Sequence, residues 1–229
     1  MKRCHGGIEL PDLDVDVIAL SMSGGADSSL LCYLVAKNIV ETKSKTLILP
    51  FTRYRPYPKD APMSWNVIRA KQVIEKIKDL LGKDVFLDHY VDYPPTYERL
   101  SSSEEKILVE QLHNKLGMIV NILGYNTWNF YYGVTSNPSK EEMIKNNFLM
   151  DYRMEDRDSK NRKKSPTRPF DLVDKRFIAD VYKQENILDT IFPITYSCEW
   201  DAKTTKNYSI HCENCWWCKE RYWAFGRFV

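Results

Sequence analysis

No stretch of about eighteen apolar residues occurs in the chain, so it offers no candidate transmembrane helix and no membrane partner is expected. It also lacks an excess of either charge. Lys plus Arg number 33 and Asp plus Glu 31, a net charge of +2. Domains dedicated to duplex nucleic acid are far more basic, which disfavours nucleic acid as a partner. No internal repeat is evident, which argues against a solenoid. Met1-Lys2-Arg3 runs on to acidic Asp12, Asp14 and Asp16 rather than an apolar signal-peptide core, so a cytoplasmic protein is the expectation. With 229 residues, 43% hydrophobic and 28% charged, the chain is neither a disordered tail nor a disulfide miniprotein. It can bury a sizeable core in one domain, with or without a small appendage.

Short apolar runs alternate with helical periodicity. Val15 to Leu20, Thr46 to Phe51, Val85 to Val91 and Trp128 to Val134 read as strands, and Pro169 to Val173 as a short fifth. Helices are expected from Leu30 to about Ile39, Ser64 to Leu81, Ser103 to Leu123 and Phe177 to Asn186, with a short one near Leu188 to Phe192 stopping at Pro193. Gly82 suits a C-terminal cap and Asp174 an N-cap. The alternation predicts an α/β fold with a doubly wound, Rossmann-like parallel sheet. Residues 1–196 form the expected main domain, and residues 197–229 a metal-binding subregion packed on it. Arg53 to Pro58 reads as a stiff aromatic and basic loop. The charged stretch 151–169, with four basic residues between Lys160 and Lys164, reads first as a solvated insertion, second as a phosphate-contacting lid and last as a nucleic-acid contact.

The first chemical signal is Met22-Ser23-Gly24-Gly25-Ala26-Asp27-Ser28-Ser29, between a strand and a helix. Glycines allow a tight turn and close approach of phosphate to backbone amides. The helix start adds free N–H groups and the positive end of its dipole. Ser23, Ser28 and Ser29 supply hydroxyls. Asp27, an anion beside phosphate, suits Mg²⁺ or a cap. The string is neither Walker A nor G-x-G-x-x-G. A capped strand-to-helix turn is the plain alternative, and pyrophosphate binding is the stronger reading.

The second signal is Cys198 with Cys212, Cys215 and Cys218, the last three as C-x₂-C-x₂-C. Four thiolates close a tetrahedral shell around Zn²⁺ and leave no open position, which describes a structural metal. An iron–sulfur cluster is the rival, and uncoordinated thiols the plain alternative. Trp216, Trp217, Trp223 and Phe225 are expected to form a small core around the metal. Cys32 reads as a buried small residue, and Cys4 only weakly as a reactive thiol.

The Ser-Gly-Gly-x-Asp-Ser string resembles the PP-loop of the ATP pyrophosphatase superfamily. Combined with Cys198, Cys212, Cys215, Cys218 and Arg221, and with the Arg168-Pro169-Phe170…Asp174-Lys175 stretch, it looks like the 7-cyano-7-deazaguanine synthase family. The resemblance implies an ATP-dependent ligase. It would convert 7-carboxy-7-deazaguanine and ammonia to the nitrile through adenylated carboxylate and amide, with ATP, Mg²⁺ and Zn²⁺. Asp27 and Ser28 would position phosphate and Mg²⁺, and residues 22–29 would bind the nucleotide. Family relatives often form homodimers. Two family features are absent. Ser101-Ser102-Ser103-Glu104-Glu105 stands where V-P-x-R-N is usual, and Thr135-Ser136-Asn137-Pro138-Ser139 where the family has S-G-Y-P-D-C-R character. A PP-loop enzyme adenylating another acceptor (a small molecule, a protein terminus or a nucleic-acid base) is therefore a second reading. A zinc-containing nucleic-acid module is a third.

Overall fold

The computed structural model describes residues 4–5, 7–54, 65–93, 102–147, 165–198 and 204–229. Most of the Arg53–Pro58 loop and residues 151–164 of the charged stretch lie outside them. A two-residue pair, β1 (Cys4–His5) and β2 (Ile8–Glu9), precedes the main sheet. That sheet holds β3 (Val17–Ser21), β4 (Leu47–Arg53), β5 (Tyr90–Asp92) and β6 (Trp128–Tyr132). All are parallel, in the order β5-β4-β3-β6. The helices are α1 (Ala26–Thr42), α2 (Trp65–Leu81), α3 (Ser102–Ile122), α4 (Lys140–Lys145), α5 (Lys175–Gln184) and α6 (Trp216–Phe225).

The strand residues alternate between two cores, as a sheet buried on both faces requires. Ile18, Leu20 and Ile48 pack with α1, α2 and α5. Val17, Ala19, Leu49 and Phe51 face Leu112, Leu116 and Val120 of α3. The chain winds from β3 through β4 to β5, then returns through α3 to the far side of β3. Loops that follow β3 and β6 therefore diverge from one another at the carboxyl edge of the sheet. That is where ligands of open α/β sheets bind.

Three expected elements differ. The Val85–Val91 strand is reduced to a bridge between Phe86 and Ile48, followed by β5 at Tyr90–Asp92. Pro50 is the cause. Ile48 directs both its N–H and its C=O toward the Val85–Leu87 segment. In a parallel ladder the next residue facing that way is Pro50, which has no N–H to donate. The Pro169–Val173 segment is not a strand. Bonds from Asp171 N to Arg168 O and from Val173 N to Phe170 O coil it into successive turns. The segment near Leu188–Phe192 is a turn leading into a 3₁₀ helix at Phe192–Ile194, with Pro193 inside it, where the missing N–H of a first-turn residue costs nothing. Both anticipated caps are present. Asp174 Oδ1 accepts from Arg176 N and Phe177 N, so α5 begins at Lys175, two residues earlier than expected. Gly82, at φ 104°, ends α2.

Candidate functional site

The glycine loop leaves β3 at the divergence point and is held on three sides. Thr52 Oγ1 donates to Met22 O at 2.6 Å, and Thr52 is itself 2.8 Å from His89 Nε2. The hydroxyl proton goes to Met22, so His89 donates through Nε2–H. Burial, reinforced by Lys78 and Lys71, holds its pKa down at about 4. Tyr196 N donates to Gly24 O at 2.8 Å, and Tyr182 Oη donates to Ala26 O at 3.0 Å. Gly24 sits at φ 76°, and a Cβ there would lie 2.6 Å from Arg69 Cβ. Only glycine combines that backbone with so close an approach to α2.

Gly25 precedes α1 with no side-chain cap. The first-turn amides, Ala26 to Ser28, are the donors that a phosphate would take. Around them Ser23 Oγ and Ser28 Oγ lie 3.0 Å apart, and Ser29 Oγ donates to Gly25 O at 2.7 Å. From the other side comes the loop after β6. Gly133 is pressed so closely on α1 that a Cβ would fall 2.7 Å from the Asp27 carbonyl carbon and oxygen. Thr135, Ser136 and Asn137 follow, all buried.

Asp27 is the junction of these parts. Its Oδ2 accepts from Lys175 Nζ at 2.6 Å and from Thr135 Oγ1 at 3.3 Å. Its Oδ1 is buried with no hydrogen-bond partner among the described residues. An orphaned carboxylate oxygen beside uncapped amides fits a Mg²⁺ ligand, because hard cations take oxygen donors. Burial alone would lower the Lys175 pKa. Asp27 and then Glu220, at 3.7 Å, outweigh it and hold the lysine pKa above its ordinary value.

Glu220 lies on α6, which starts inside the cysteine cluster. Cys198, Cys212, Cys215 and Cys218 place their sulfurs within 4.8 Å of one another. Cys212–Cys218 and Cys198–Cys215 are each 3.9 Å apart. A Zn–S bond of about 2.3 Å puts tetrahedral sulfurs about 3.8 Å apart, so the set could hold one metal ion such as zinc. It is too tight to enclose a multi-iron cluster. Cys215 and Cys218 donate their amides to the sulfurs of Cys212 and Cys215, at 3.3 and 3.4 Å, which favours thiolate. The neighbouring Cys198 sulfur, with burial, pushes the Cys215 thiol up to about 12. A cation reverses that balance because it binds the thiolate. His211 is not one of the set. Its ring packs 4.7 Å from Tyr196 and 5.8 Å from Phe228.

The aromatic residues near the cluster separate by helix face. Of the four expected around the metal, Trp217 packs there with Trp65, Tyr196, Tyr208 and Phe228. Trp216 and Trp223 pack on Met143 of α4, and Phe225 stacks on Phe192 in the main core at 4.0 Å. Trp216 and Trp223, seven positions apart, share a face of α6, and Phe225, nine positions from Trp216, lies on the opposite one. Arg221 is 1% exposed and braces α6 to the loop. Its guanidinium donates to Phe192 O, Thr195 O, Thr195 Oγ1 and Phe228 O and covers the Phe192 ring at 3.8 Å. Tyr196, the next residue, holds Gly24. Cys32 is fully buried, and burial pushes its thiol up to about 12, so it is an inert core residue.

A second buried charge cluster was not anticipated from the sequence. Asp92, at the end of β5, accepts from Arg53 Nε at 3.1 Å and Lys115 Nζ at 2.8 Å, tying α3 to the sheet. No helix among the described residues is long and apolar enough to cross a membrane. In comparisons with known proteins, no family model and no curated sequence matches the chain.

Proposed function

We propose that this chain is an ATP-dependent C–N ligase of the PP-loop type, built on a doubly wound Rossmann-like scaffold. Its reaction would be the conversion of 7-carboxy-7-deazaguanine and ammonia to 7-cyano-7-deazaguanine. The observation that carries the reading is the uncapped start of α1, at the divergence of β3 and β6, with the unpartnered, buried Oδ1 of Asp27 in its first turn. The amides of residues 26–28 bind and orient phosphate, and Lys175 can turn from Asp27 to a phosphate oxygen. Held at Asp27, Mg²⁺ would supply charge neutralisation on the phosphates.

A substrate carboxylate oxygen attacks the α-phosphorus of ATP, the α–β bond breaks and pyrophosphate leaves. Ammonia displaces AMP and loses a proton, giving the amide. The amide oxygen attacks a second ATP in the same way, and departure of AMP with two N–H protons leaves the nitrile. AMP replaces an oxide as leaving group, so no side-chain nucleophile is needed. The protein contributes orientation and charge. A Cys₄ metal would be structural, tying the segment around Cys198 to α6.

A second reading, another acceptor, is favoured by the loop after β6. Thr135 is engaged by Asp27, and Thr135 to Asn137 are buried where the resembled family carries its Asp-Cys-Arg loop. Mass spectrometry of a reaction with Mg-ATP, ammonium and 7-carboxy-7-deazaguanine tests the first reading. Nitrile with AMP is the expected result. AMP-competent protein that yields neither amide nor nitrile would move the assignment to another acceptor.

A further inference from the structure

Glu220 belongs to neither the thiol set nor the glycine loop, yet it is 5% exposed. It lies on α6 two residues past Cys218, and its Oε2 stands 3.7 Å from Lys175 Nζ. The same nitrogen is 2.6 Å from Asp27 Oδ2. One buried ammonium thus answers two carboxylates, and only Asp27 borders the uncapped helix start.

We infer that Glu220 is a positioning residue that acts through Lys175, loosening the lysine's hold on Asp27 so that Asp27 can accept a divalent cation. The inference rests on the ATP reading above. A lysine facing one carboxylate closes on it, and a cation must then compete with the full ion pair. A second carboxylate within reach of the lysine offers it another partner, so the lysine's departure from Asp27 costs less. It also remains as a partner when Asp27 turns to a cation and the lysine turns to phosphate. No buried ammonium is then left uncompensated. The glycine loop provides the phosphate contacts, and Glu220 sets how readily the cation joins them. Its place on α6 means that the helix which starts at the thiol cluster also delivers this charge.

The test is ATP binding by the full chain, loaded with zinc, across a Mg²⁺ titration. Wild type should bind ATP with a clear Mg²⁺ dependence. Glu220→Gln should need about tenfold more Mg²⁺ for half-maximal binding, because the lysine then pairs with Asp27 alone. Its affinity for ATP without Mg²⁺ should hold or tighten, with metal content and melting temperature unchanged. Glu220→Met replaces it should the amide variant fail to fold. Glu220→Asp, which keeps the charge, should stay within about twofold of wild type. In a Lys175→Met background, Glu220→Gln should shift nothing. Wild-type Mg²⁺ dependence in Glu220→Gln, or a persisting shift without Lys175, overturns the inference and leaves the ATP reading standing. Wild type that binds no ATP overturns both.

Discussion

Substituting Gly133 by alanine tests whether the two loops at the sheet edge form one site. A Cβ there would lie 2.7 Å from the carbonyl carbon and oxygen of Asp27 and from Cα of Ser28, where ordinary contact begins at 3.4 Å. The obstacle is backbone, so no side chain can swing aside. Either the first turn of α1 or the end of β6 must shift by about 0.7 Å, the difference between those distances. Overpacking of this kind costs about 1–3 kcal/mol, and a backbone obstacle puts it near the top of that range. For a chain of this size about 3 kcal/mol lowers the melting temperature by roughly 6–12 °C. The same displacement moves the amides of residues 26–28 and separates Thr135 from Asp27, so ATP affinity should fall with stability. Gly124→Ala is the reference, because Gly124 has a positive φ of 85° but no neighbour within 4 Å. It should cost only backbone strain, about 1 kcal/mol, and leave ATP binding alone. Urea unfolding and calorimetric ATP titration of both variants give the answer. If Gly133→Ala loses less than about 1 kcal/mol and binds ATP as wild type does, the abutment of the loops has no consequence and the reasoning fails.

Three further outcomes are expected. Asp27→Ala should abolish pyrophosphate release and cost about 2–3 kcal/mol, because Lys175 loses its closer partner but keeps Glu220; a fully active variant would remove the phosphate-loop assignment. Metal analysis should find about one zinc per chain, and Cys215→Ser should lose both metal and stability, since metal binding contributes to folding; folded, reduced protein without metal would contradict this. His89 has a folded pKa of about 4 against an ordinary 6.5, so only the unfolded chain gains its proton between those values. Stability should therefore fall by about 1–2 kcal/mol as pH drops from 6.5 to 4, allowing for partial exposure of the ring, and His89→Gln should flatten that segment of the curve. An unchanged pH profile in His89→Gln would show that the ring is not held neutral by its surroundings.

The sequence makes visible those parts of the fold whose cause is local. Val15 to Leu20 is a short run rich in β-branched residues, and β3 forms within and just beyond it at Val17–Ser21. The glycine string sits between strand and helix as its turn chemistry demands, and the C-x₂-C-x₂-C spacing closes on Cys198. Causes that act across the sheet are hidden. Pro50 interrupts pairing with a strand nearly forty residues away, so the apolar run after Val85 reads as a longer strand than it forms. The Pro169 to Val173 run has strand composition, yet its backbone bonds close locally. At the site, Lys175 stands out in the sequence only through a family-like stretch. Its pairing with Asp27 spans 148 positions, and no local pattern announces it. Gly133 and Glu220 carry no sequence signal. One matters because its neighbour is backbone, the other because a helix turns it inward.

The central claim is that the loop at residues 22–29 directs cleavage of ATP between its α and β phosphates. Phosphorus NMR of the zinc-loaded chain with Mg-ATP, ammonium and 7-carboxy-7-deazaguanine measures this directly. The account predicts AMP and pyrophosphate in equal amounts, formed only when acceptor is present and lost in Asp27→Ala. ADP and orthophosphate, or turnover that survives Asp27→Ala, would contradict it.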